Sequence, residues 1–215
     1  MTPQDKRFSP ECVFARAKAK LDFTIPDPES KLFVTDPVVD GEDPALFALD
    51  RPALAAAVLI GLVDHGEEVR VLLTQRAATL RVHAGQIAFP GGKIEPQDDG
   101  PTGAALREAR EEIGLLSRDV EPLGFLAPYV TATGFRVTPV VARIAPPLDL
   151  RLNPQEVEEA FEAPFAFLMD EANHAFDSRE LDGRLRRFYA MAYGERYIWG
   201  VTAGILRNLY ERLYR

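Results

Sequence analysis

Runs of apolar residues, separated by turn-forming residues, divide the chain into predicted strands. Residues 53–63 form a long apolar run, which is typical of a central strand buried on both faces. Turn residues occupy 64–67, and residues 68–74 alternate apolar with polar, so the two segments together predict a hairpin. Further strands are predicted at Gln86–Phe89, Val120–Val130, Phe135–Ile144, Glu156–Phe161, Leu185–Ala192 and Tyr197–Trp199.

Helical periodicity appears near both ends of the chain. Ser9 followed by Pro10 is typical of a helix start, and this helix is expected to run to about Lys20. Thr202–Leu213 is amphipathic and predicts a closing helix. The apolar residues expected to be buried in these two helices are Val13, Phe14, Ala17, Leu21, Ile205, Leu206, Leu209 and Leu213. A mixed sheet between helices is the assembly that these elements favour.

Four segments show a weaker pattern or none. Residues 22–52 are rich in Pro and Asp and predict an irregular strap over the domain, held down at 32–34. Residues 75–84 predict a loop or short turn, and 171–184 predict a polar loop. Pro164–Met169 is interpreted as a short helix.

The most distinctive segment is Phe89–Leu115, in which a glycine pair leads into an acidic helix. On a helix of about 3.6 residues per turn, Glu108 and Glu112 lie one above the other, with Glu111 beside them. Like charges at this spacing destabilise an isolated helix by roughly 0.2–0.5 kcal/mol, and a bound divalent cation such as Mg²⁺ would offset that cost. The alternative is a solvated acidic helix with ion pairs such as Arg107 to Glu111.

Residues at the ends of this acidic helix predict its limits. Asp99 or Thr102 is expected to cap its start, with Pro101 in the first turn. Gly114 stands where a left-handed C-cap belongs. The face opposite the acids is apolar and is expected to pack on a sheet.

Composition restricts the class of protein. A net charge of −8 over 215 residues argues against a nucleic-acid partner, because such surfaces are normally basic. Cys12 is the single cysteine, which excludes an internal disulfide and fits a reducing compartment. Because neither a signal-like apolar run nor a stretch of about 20 apolar residues occurs, we expect a cytoplasmic protein without a membrane span.

The acidic segment resembles the signature of the Nudix hydrolase family, which is G, five residues, E, seven residues, then R-E-apolar-x-E-E-x-G-apolar. Its matching positions are Gly92, Arg107, Glu108, Ala109, Glu111, Glu112, Gly114 and Leu115. In two departures, Asp98 replaces the first Glu, and one extra residue separates it from Arg107. That acid mainly braces the loop against the Arg in the family, so we expect Asp98 to do the same.

The resemblance implies a fold, a metal and site roles. It implies an α/β (α+β) fold, a Nudix-type α/β/α sandwich with a mixed β-sheet between helices, over residues 53–215, with 1–52 packed on it. It also implies a Mg²⁺- or Mn²⁺-dependent pyrophosphohydrolase. The expected metal ligands are Glu108, Glu111, Glu112 and the carbonyl of Gly91, and Arg107 is expected to orient Glu111 and the loop. The general base is expected to be either one of the glutamates of the Nudix signature or an acid on another loop, such as Glu156. The alternative for Glu156 is a solvated loop position.

A second resemblance indicates which substrate the pyrophosphohydrolase would act on. Leu72–Gly92 reads LLTQRAATLRVHAGQIAFPGG and is similar to a motif of coenzyme A pyrophosphatases, as is Tyr197–Ile205. It implies hydrolysis of coenzyme A or acyl-coenzyme A to 4′-phosphopantetheine and adenosine 3′,5′-bisphosphate. The residues that it assigns to substrate binding are Arg76, Arg81, His83 and Gln86. Arginine suits phosphate because it offers paired donors, although surface salt bridges and a hydrogen bond within the loop are the alternatives for these side chains.

Other interpretations stay open at this point. The chain can act on another nucleoside diphosphate derivative, such as ADP-ribose or NADH, if the motif at Leu72–Gly92 is inherited without its specificity for coenzyme A. It can also be a catalytically silent binding module, although such a module is expected to lose a metal glutamate. Tyr129, Phe125 and Phe135 are candidates either to stack on adenine or to form part of the core. A homodimer that uses the N-terminal helix or the strap is compatible with the sequence.

Overall fold

The computed structural model describes residues 6–27, 33–35, 53–181 and 184–215. Its helices are α1 Pro10–Lys20, α2 Gly100–Ile113, α3 Phe165–Leu168 and α4 Val201–Tyr214, with 3₁₀ turns at Ser117–Asp119 and Glu171–Asn173. Its strands are β1 Leu54–Asp64, β2 Val69–Arg76, β3 Ile87–Ala88, β4 Gly91–Lys93, β5 Val120–Phe125, β6 Tyr129–Val130, β7 Phe135–Ile144, β8 Val157–Pro164, β9 Ala175–Leu181, β10 Arg184–Tyr193 and β11 Arg196–Trp199.

Strand β1 lies at the centre of a mixed sheet that includes β1 to β8. It pairs in parallel with β7, from Leu54 opposite Phe135 to Val63 opposite Ile144, and antiparallel with β2 and β4. β2 also pairs with β3 and β8, and β7 with β5 and β6. The predicted mixed sheet between helices is therefore confirmed.

Both faces of β1 are buried, as its continuous apolar run predicts. Alternate residues point to opposite faces of a strand, and here Ile60 and Leu62 join the apolar cluster formed with α1 and α4. Leu59 and Val63 join a second cluster, on the face covered by α2. The sheet thus holds the acidic helix α2 on one side and the two terminal helices on the other.

Both terminal helices follow their predictions. The Cys12 N–H donates to Ser9 Oγ at 3.4 Å, so Ser9 caps α1, with Pro10 at its first position. All eight residues predicted to face inward from α1 and α4 are buried. The two helices are joined by a hydrogen bond from Arg16 Nη1 to the Leu213 carbonyl at 3.3 Å, which holds α1 against the end of α4.

Strands β9 to β11 form a second, antiparallel sheet, with β10 in the middle. The predicted polar loop over 171–184 is wrong, because Ala175–Leu181 is the edge strand β9 of this sheet. Its residues 175–180 are exposed, so burial leaves no alternating pattern to recognise. Pairing with β10 is what holds this polar segment extended.

Two strand boundaries also differ from the prediction. Gln75 and Arg76 belong to β2 rather than to a loop, because they pair with β3 and β8. The segment Val120–Val130 is two strands rather than one, since its pairing with β7 is interrupted after Phe125. Close to the break, Gly124 approaches the backbone of Asp22, and a Cβ on this glycine would lie 2.8 Å from the Asp22 carbonyl oxygen.

The described part of the predicted strap follows the sheet edge. The Val34 N–H donates to the Pro128 carbonyl and its own carbonyl accepts from Val130 N–H, both at 2.8 Å. Phe33 packs against Val130. Leu32 and the rest of 28–32 and 36–52 lie outside the described residues, so the prediction for them is not tested. None of the helices in the described ranges is long and apolar enough to cross a membrane.

Candidate active site

The glycine pair at the start of β4 allows three elements to approach one another. A Cβ on Gly91 would lie 2.7 Å from the Val58 Cα in β1, and a Cβ on Gly92 would overlap the Glu108 carboxylate. Contacts this short are not available to residues with a side chain. Only glycine therefore lets β4 lie between the central strand and the acidic helix.

Asp98 braces the loop against Arg107, as expected from the Nudix resemblance. Arg107 Nε and Nη2 donate to the two carboxylate oxygens of Asp98 at 2.9 and 3.0 Å, and Nη2 also donates to the Lys93 carbonyl. The hydrogen bond from Arg107 lowers the pKa of Asp98 and raises that of Arg107. The shorter acid on a longer loop thus makes a bidentate ion pair.

The limits of α2 are set by Asp99 and Gly114. Asp99 is the N-cap residue, although its side chain makes no capping hydrogen bond, and Pro101 lies in the first turn. Gly114 ends the helix in the left-handed region, with φ of 73°. The predicted C-cap is confirmed.

Glu112 is the most buried of the acids on α2, with its side chain 5% exposed. The Gly91 N–H donates to its Oε2 at 3.2 Å, and Arg76 Nη1 lies 3.9 Å from its Oε1. Burial raises the pKa of Glu112 to about 7; the Gly91 hydrogen bond and the Arg76 charge oppose the rise, and the Glu108 and Glu156 charges add to it. A cation near this carboxylate would stabilise its ionised form.

Glu108 and Glu111 share Arg107 but differ in exposure. Arg107 Nη1 donates to Glu108 Oε1 at 2.9 Å and to Glu111 Oε2 at 3.1 Å. The Glu108 side chain is 17% exposed, and burial raises its pKa despite the Arg107 charge. The Glu111 side chain is 51% exposed and lies at the rim. The structure therefore distinguishes the buried Glu112 and the partly buried Glu108 from Glu111 at the surface.

Glu156 lies on the turn before β8, and its charge acts on both Glu108 and Glu112. Its negative charge contributes to the raised pKa of Glu108 and of Glu112, after the larger effect of burial. Its carbonyl accepts from the Ala77 N–H at 2.9 Å, which fixes its backbone beside the end of β2. Asn153, which the sequence analysis does not single out, donates to Glu156 Oε1.

The predicted substrate residues are divided between the site and the solvent. Arg76, at the end of β2, is directed to Glu112, and its buried Nε has no hydrogen-bond partner among the described residues. Arg81 and His83 are exposed on the following loop, where His83 adopts a left-handed φ of 59°. His83 Nδ1 lies 2.9 Å from Gln86 Oε1, at hydrogen-bond distance. Among the hydrogen bonds and ion pairs of the described residues, none joins Arg81 or His83 to the acids of α2.

The aromatic candidates for adenine stacking mostly belong to the core. Tyr129 is fully buried, and its ring packs against the position of Gly204 in α4, where a Cβ would overlap the tyrosine ring. Phe125 is also buried, whereas Phe135 is partly exposed. Stacking by Tyr129 or Phe125 is therefore not supported, and the alternative that they pack in the core is correct.

The donor set around Glu112 fits a hard divalent cation. Over the described ranges, no three acidic, His or Cys side chains converge as a ready-made cation site. However, burial and then the charge of the partly buried Glu108 raise the pKa of Glu112, whose carboxylate accepts the Gly91 N–H. Oxygen donors that carry excess negative charge are the ligands that Mg²⁺ and Mn²⁺ prefer.

Comparisons with known proteins agree with this geometry. The NUDIX domain family matches residues 52–187. The chain is 43% identical over 158 residues to the Uncharacterized Nudix hydrolase NudL of Escherichia coli K12, which covers 72% of this chain and 80% of that protein. The protein of the same name from Photorhabdus laumondii is 39% identical, covering 74% and 84%.

Solved structures include members of the same family. The MutT/nudix family protein of Enterococcus faecalis is similar over 82% of this chain and 64% of its own, with a TM-score of 0.49 and 18% sequence identity. The matched domain covers more than half of the chain and contains the braced loop and helix α2. The chain belongs to the Nudix hydrolase family.

Proposed function

We propose that this protein is a Mg²⁺- or Mn²⁺-dependent pyrophosphohydrolase of coenzyme A or its acyl derivatives. Pyrophosphohydrolase chemistry is supported by the family and by the buried Glu112 carboxylate beside Gly91, with Glu108 one turn earlier on the same helix. The observation that carries the substrate is the path of the segment Leu72–Gly92. This segment resembles the coenzyme A pyrophosphatase motif, and it runs through β2 and β3 directly to the Glu112 carboxylate.

Glu108 and Glu112 would hold the cation, together with the Gly91 carbonyl, and Glu111 would complete the set from the rim. When bound, the cation supplies Lewis-acid stabilisation of the phosphate charge. Arg107 keeps Glu108 and Glu111 oriented, because its guanidinium contacts both carboxylates. The Arg76 guanidinium, with Nη1 3.9 Å from Glu112 Oε1, supports a role for Arg76 in binding the pyrophosphate.

Glu156 is the acid that we assign as general base. It would accept a proton from the attacking water as the new P–O bond forms and the bridging P–O bond breaks. The products would be 4′-phosphopantetheine and adenosine 3′,5′-bisphosphate, and the leaving phosphate would keep the bridging oxygen. The assignment is supported by the effect of the Glu156 charge on Glu108 and Glu112.

The loop between β2 and β3 is proposed to select the substrate. Arg81, His83 and Gln86 are at hand for the 3′-phosphate of coenzyme A, because the first two are exposed and the third is held to His83. We assign catalysis to residues 53–215 and a packing role to the N-terminal 52, which is supported by the contact of α1 with α4. A cytoplasmic location and a homodimer stay predictions.

A substrate panel tests the proposal. Coenzyme A, dephospho-coenzyme A, ADP-ribose and NADH are incubated with the protein and Mg²⁺, Mn²⁺ or chelator, and the products are separated. We expect adenosine 3′,5′-bisphosphate from coenzyme A only with metal, and slower cleavage of the dephospho form. Faster turnover of ADP-ribose or NADH would keep the family chemistry and overturn the substrate, and no turnover of any would favour a binding module.

The variant Glu112→Gln tests the metal site in the same assay. It removes the buried charge but keeps the shape, so we expect kcat to fall by about a thousandfold or more, equivalent to about 4 kcal/mol of lost stabilisation. Glu67→Gln, at an exposed turn residue, is the matched control and should behave as wild type. Unchanged turnover by Glu112→Gln would contradict the metal assignment.

A further inference from the structure

One side chain links the turn before β8 to the Glu156 carboxylate. Asn153 Nδ2 donates to Glu156 Oε1 at 3.3 Å. The Oδ1 of the same amide accepts from the Gln155 N–H at 3.1 Å, which closes the turn. The two ends of the Asn153 amide therefore do different things, one orienting Glu156 and the other shaping the backbone.

The backbone of this turn is fixed to the C-terminal end of α2. The Asn153 N–H donates to the Glu112 carbonyl and the Arg151 N–H to the Ile113 carbonyl, both at 2.8 Å. Gly114 permits this contact, because a Cβ there would lie 2.9 Å from the Arg151 nitrogen. The helix that carries Glu112 and the turn that carries Glu156 thus form one unit.

These backbone contacts leave the direction of the Glu156 side chain unset. Its N–H donates to the Asn153 carbonyl at 3.0 Å, and its own carbonyl accepts from Ala77. A glutamate has three rotatable side-chain bonds, so a fixed backbone still permits several carboxylate positions. A hydrogen bond to the carboxylate is needed to select one of them.

We propose that Asn153 is a positioning residue that holds the Glu156 carboxylate toward Glu108 and Glu112. This inference rests on the proposed function, in which Glu156 accepts the proton of the attacking water. Asn153 itself does not touch the substrate. Its amide reduces the number of orientations that Glu156 samples, so it acts on the chemical step rather than on substrate binding.

Two substitutions of Asn153 distinguish the role of its Nδ2 donor from that of its Oδ1 acceptor. Asn153→Ala removes both, whereas Asn153→Asp keeps an oxygen for the Gln155 N–H and loses the donor to Glu156. We expect both variants to lower kcat about tenfold to a hundredfold with KM nearly unchanged, the range for partners that orient a reactive group. Gln155→Ala is the matched control, because only the backbone N–H of Gln155 bonds to Asn153.

A double-mutant cycle decides whether Asn153 acts through Glu156. In a Glu156→Gln background, Asn153→Ala should change kcat by less than about twofold, because the amide of Gln cannot accept the proton of the water however it is oriented. An equal loss in both backgrounds, or an Asn153→Asp variant with wild-type kcat, would overturn the inference in favour of a purely structural turn. Thermal unfolding of each variant checks that the fold is kept, and Asn153→Asp serves if Asn153→Ala does not fold.

Failure of this inference is distinguishable from failure of the proposed function. If the wild type cleaves coenzyme A and Glu156→Gln does so at the same rate, the hydrolase assignment stands and the role of Asn153 falls with that of Glu156. If the wild type cleaves none of the panel substrates, both fall together.

Discussion

Two loops lead to the candidate site, and they are held in different ways. The loop between β4 and α2 is fixed from inside by the Asp98–Arg107 ion pair and by a hydrogen bond from the Glu95 N–H to Asp98 at 2.8 Å. The loop between β2 and β3 is closed mainly by its backbone, with the Gly85 N–H donating to the Arg76 carbonyl at 3.0 Å. Its Val82 is 63% exposed, although valine is apolar.

The two loops are therefore expected to have different roles, the first in the chemical step and the second in the selection of the substrate. The first loop connects Gly92 to α2, which carries most of the residues that match the Nudix signature. Its Asp98 carboxylate is hydrogen-bonded to Arg107 and to the Glu95 N–H, so its geometry is pre-organised before any ligand binds. The second loop carries the residues that resemble the coenzyme A motif, and several of them face solvent. An exposed loop that presents polar and apolar side chains is suited to contact a substrate rather than to hold the reacting groups.

The first test breaks the brace of the first loop. Asp98→Ala removes the bidentate, charge-assisted ion pair with Arg107, in which the Asp98 side chain is 4% exposed. We expect the free energy of unfolding to fall by about 2–3 kcal/mol, measured by chemical denaturation. The loss is not larger because Arg107 keeps its contacts with Glu108, Glu111 and the Lys93 carbonyl.

The neighbouring residue provides the control for this change. Asp99→Ala removes the same charge one position along, from an exposed side chain that makes no capping hydrogen bond. Its effect should stay below about 1 kcal/mol. Equal losses from the two substitutions would show that charge near the helix start, rather than the brace, stabilises the loop.

The second test compares two arginines of the upstream motif. Arg76→Ala removes the guanidinium beside Glu112 and should lower kcat/KM for coenzyme A about a hundredfold, since a hydrogen bond to a charged group is worth about 1.5–3 kcal/mol. Arg81→Ala removes an exposed side chain and should mainly raise KM, by less than about tenfold. Steady-state kinetics on coenzyme A and dephospho-coenzyme A give both values.

Turnover of dephospho-coenzyme A distinguishes the role of Arg76 from that of Arg81. If Arg81 contacts the 3′-phosphate, its replacement should affect coenzyme A and leave the dephospho form unchanged, whereas Arg76→Ala should impair both. Arg118→Ala, with a side chain that is 79% exposed, controls for loss of positive charge elsewhere. A larger loss from Arg81→Ala than from Arg76→Ala would reverse the assignment of the two loops.

The third test is a pH dependence of stability in chelator. The pKa of Glu112 in the folded protein is about 7, above the value of about 4.5 expected when it is unfolded. The folded state therefore binds an extra proton between these values, and the free energy of unfolding should decrease as pH rises from 4.5 to 7, by at most about 1.4 kcal/mol per pH unit.

Denaturation at several pH values in this range measures the slope. Glu112→Gln should remove this part of the pH dependence, whereas Arg81→Ala in the exposed loop should keep it. Identical slopes in the wild type and Glu112→Gln would show that other groups account for the dependence. Because a cation favours the ionised acid, added Mg²⁺ is expected to weaken the dependence as well.

Local chemistry explains which predictions succeeded. The start of α1 follows from its Ser9 cap, the end of α2 from Gly114, and α4 from its periodicity. The signature predicts the brace between Asp98 and Arg107 despite the altered spacing. Such features depend on residues that are close in sequence. They are therefore visible before the fold is known.

Features that depend on distant partners were missed. Strand β9 is polar and exposed, and only its pairing with β10 identifies it. The sequence leaves Tyr129 open between stacking and the core, and the approach of Gly204 shows that it lies in the core. Asn153 precedes a proline, which signals a turn. No local pattern shows that its amide reaches Glu156 or that its backbone meets the end of α2.

The parallel pairing of β1 with β7 also constrains how the chain folds. Partners such as Leu54 and Phe135 are about 80 residues apart, and closing such a long loop costs entropy before any contact repays it. Helix α2 lies within this loop and packs on both strands. The acidic site is therefore expected to form late, after the central pair has joined, so that a nascent chain carries its glutamates for some time without a binding site.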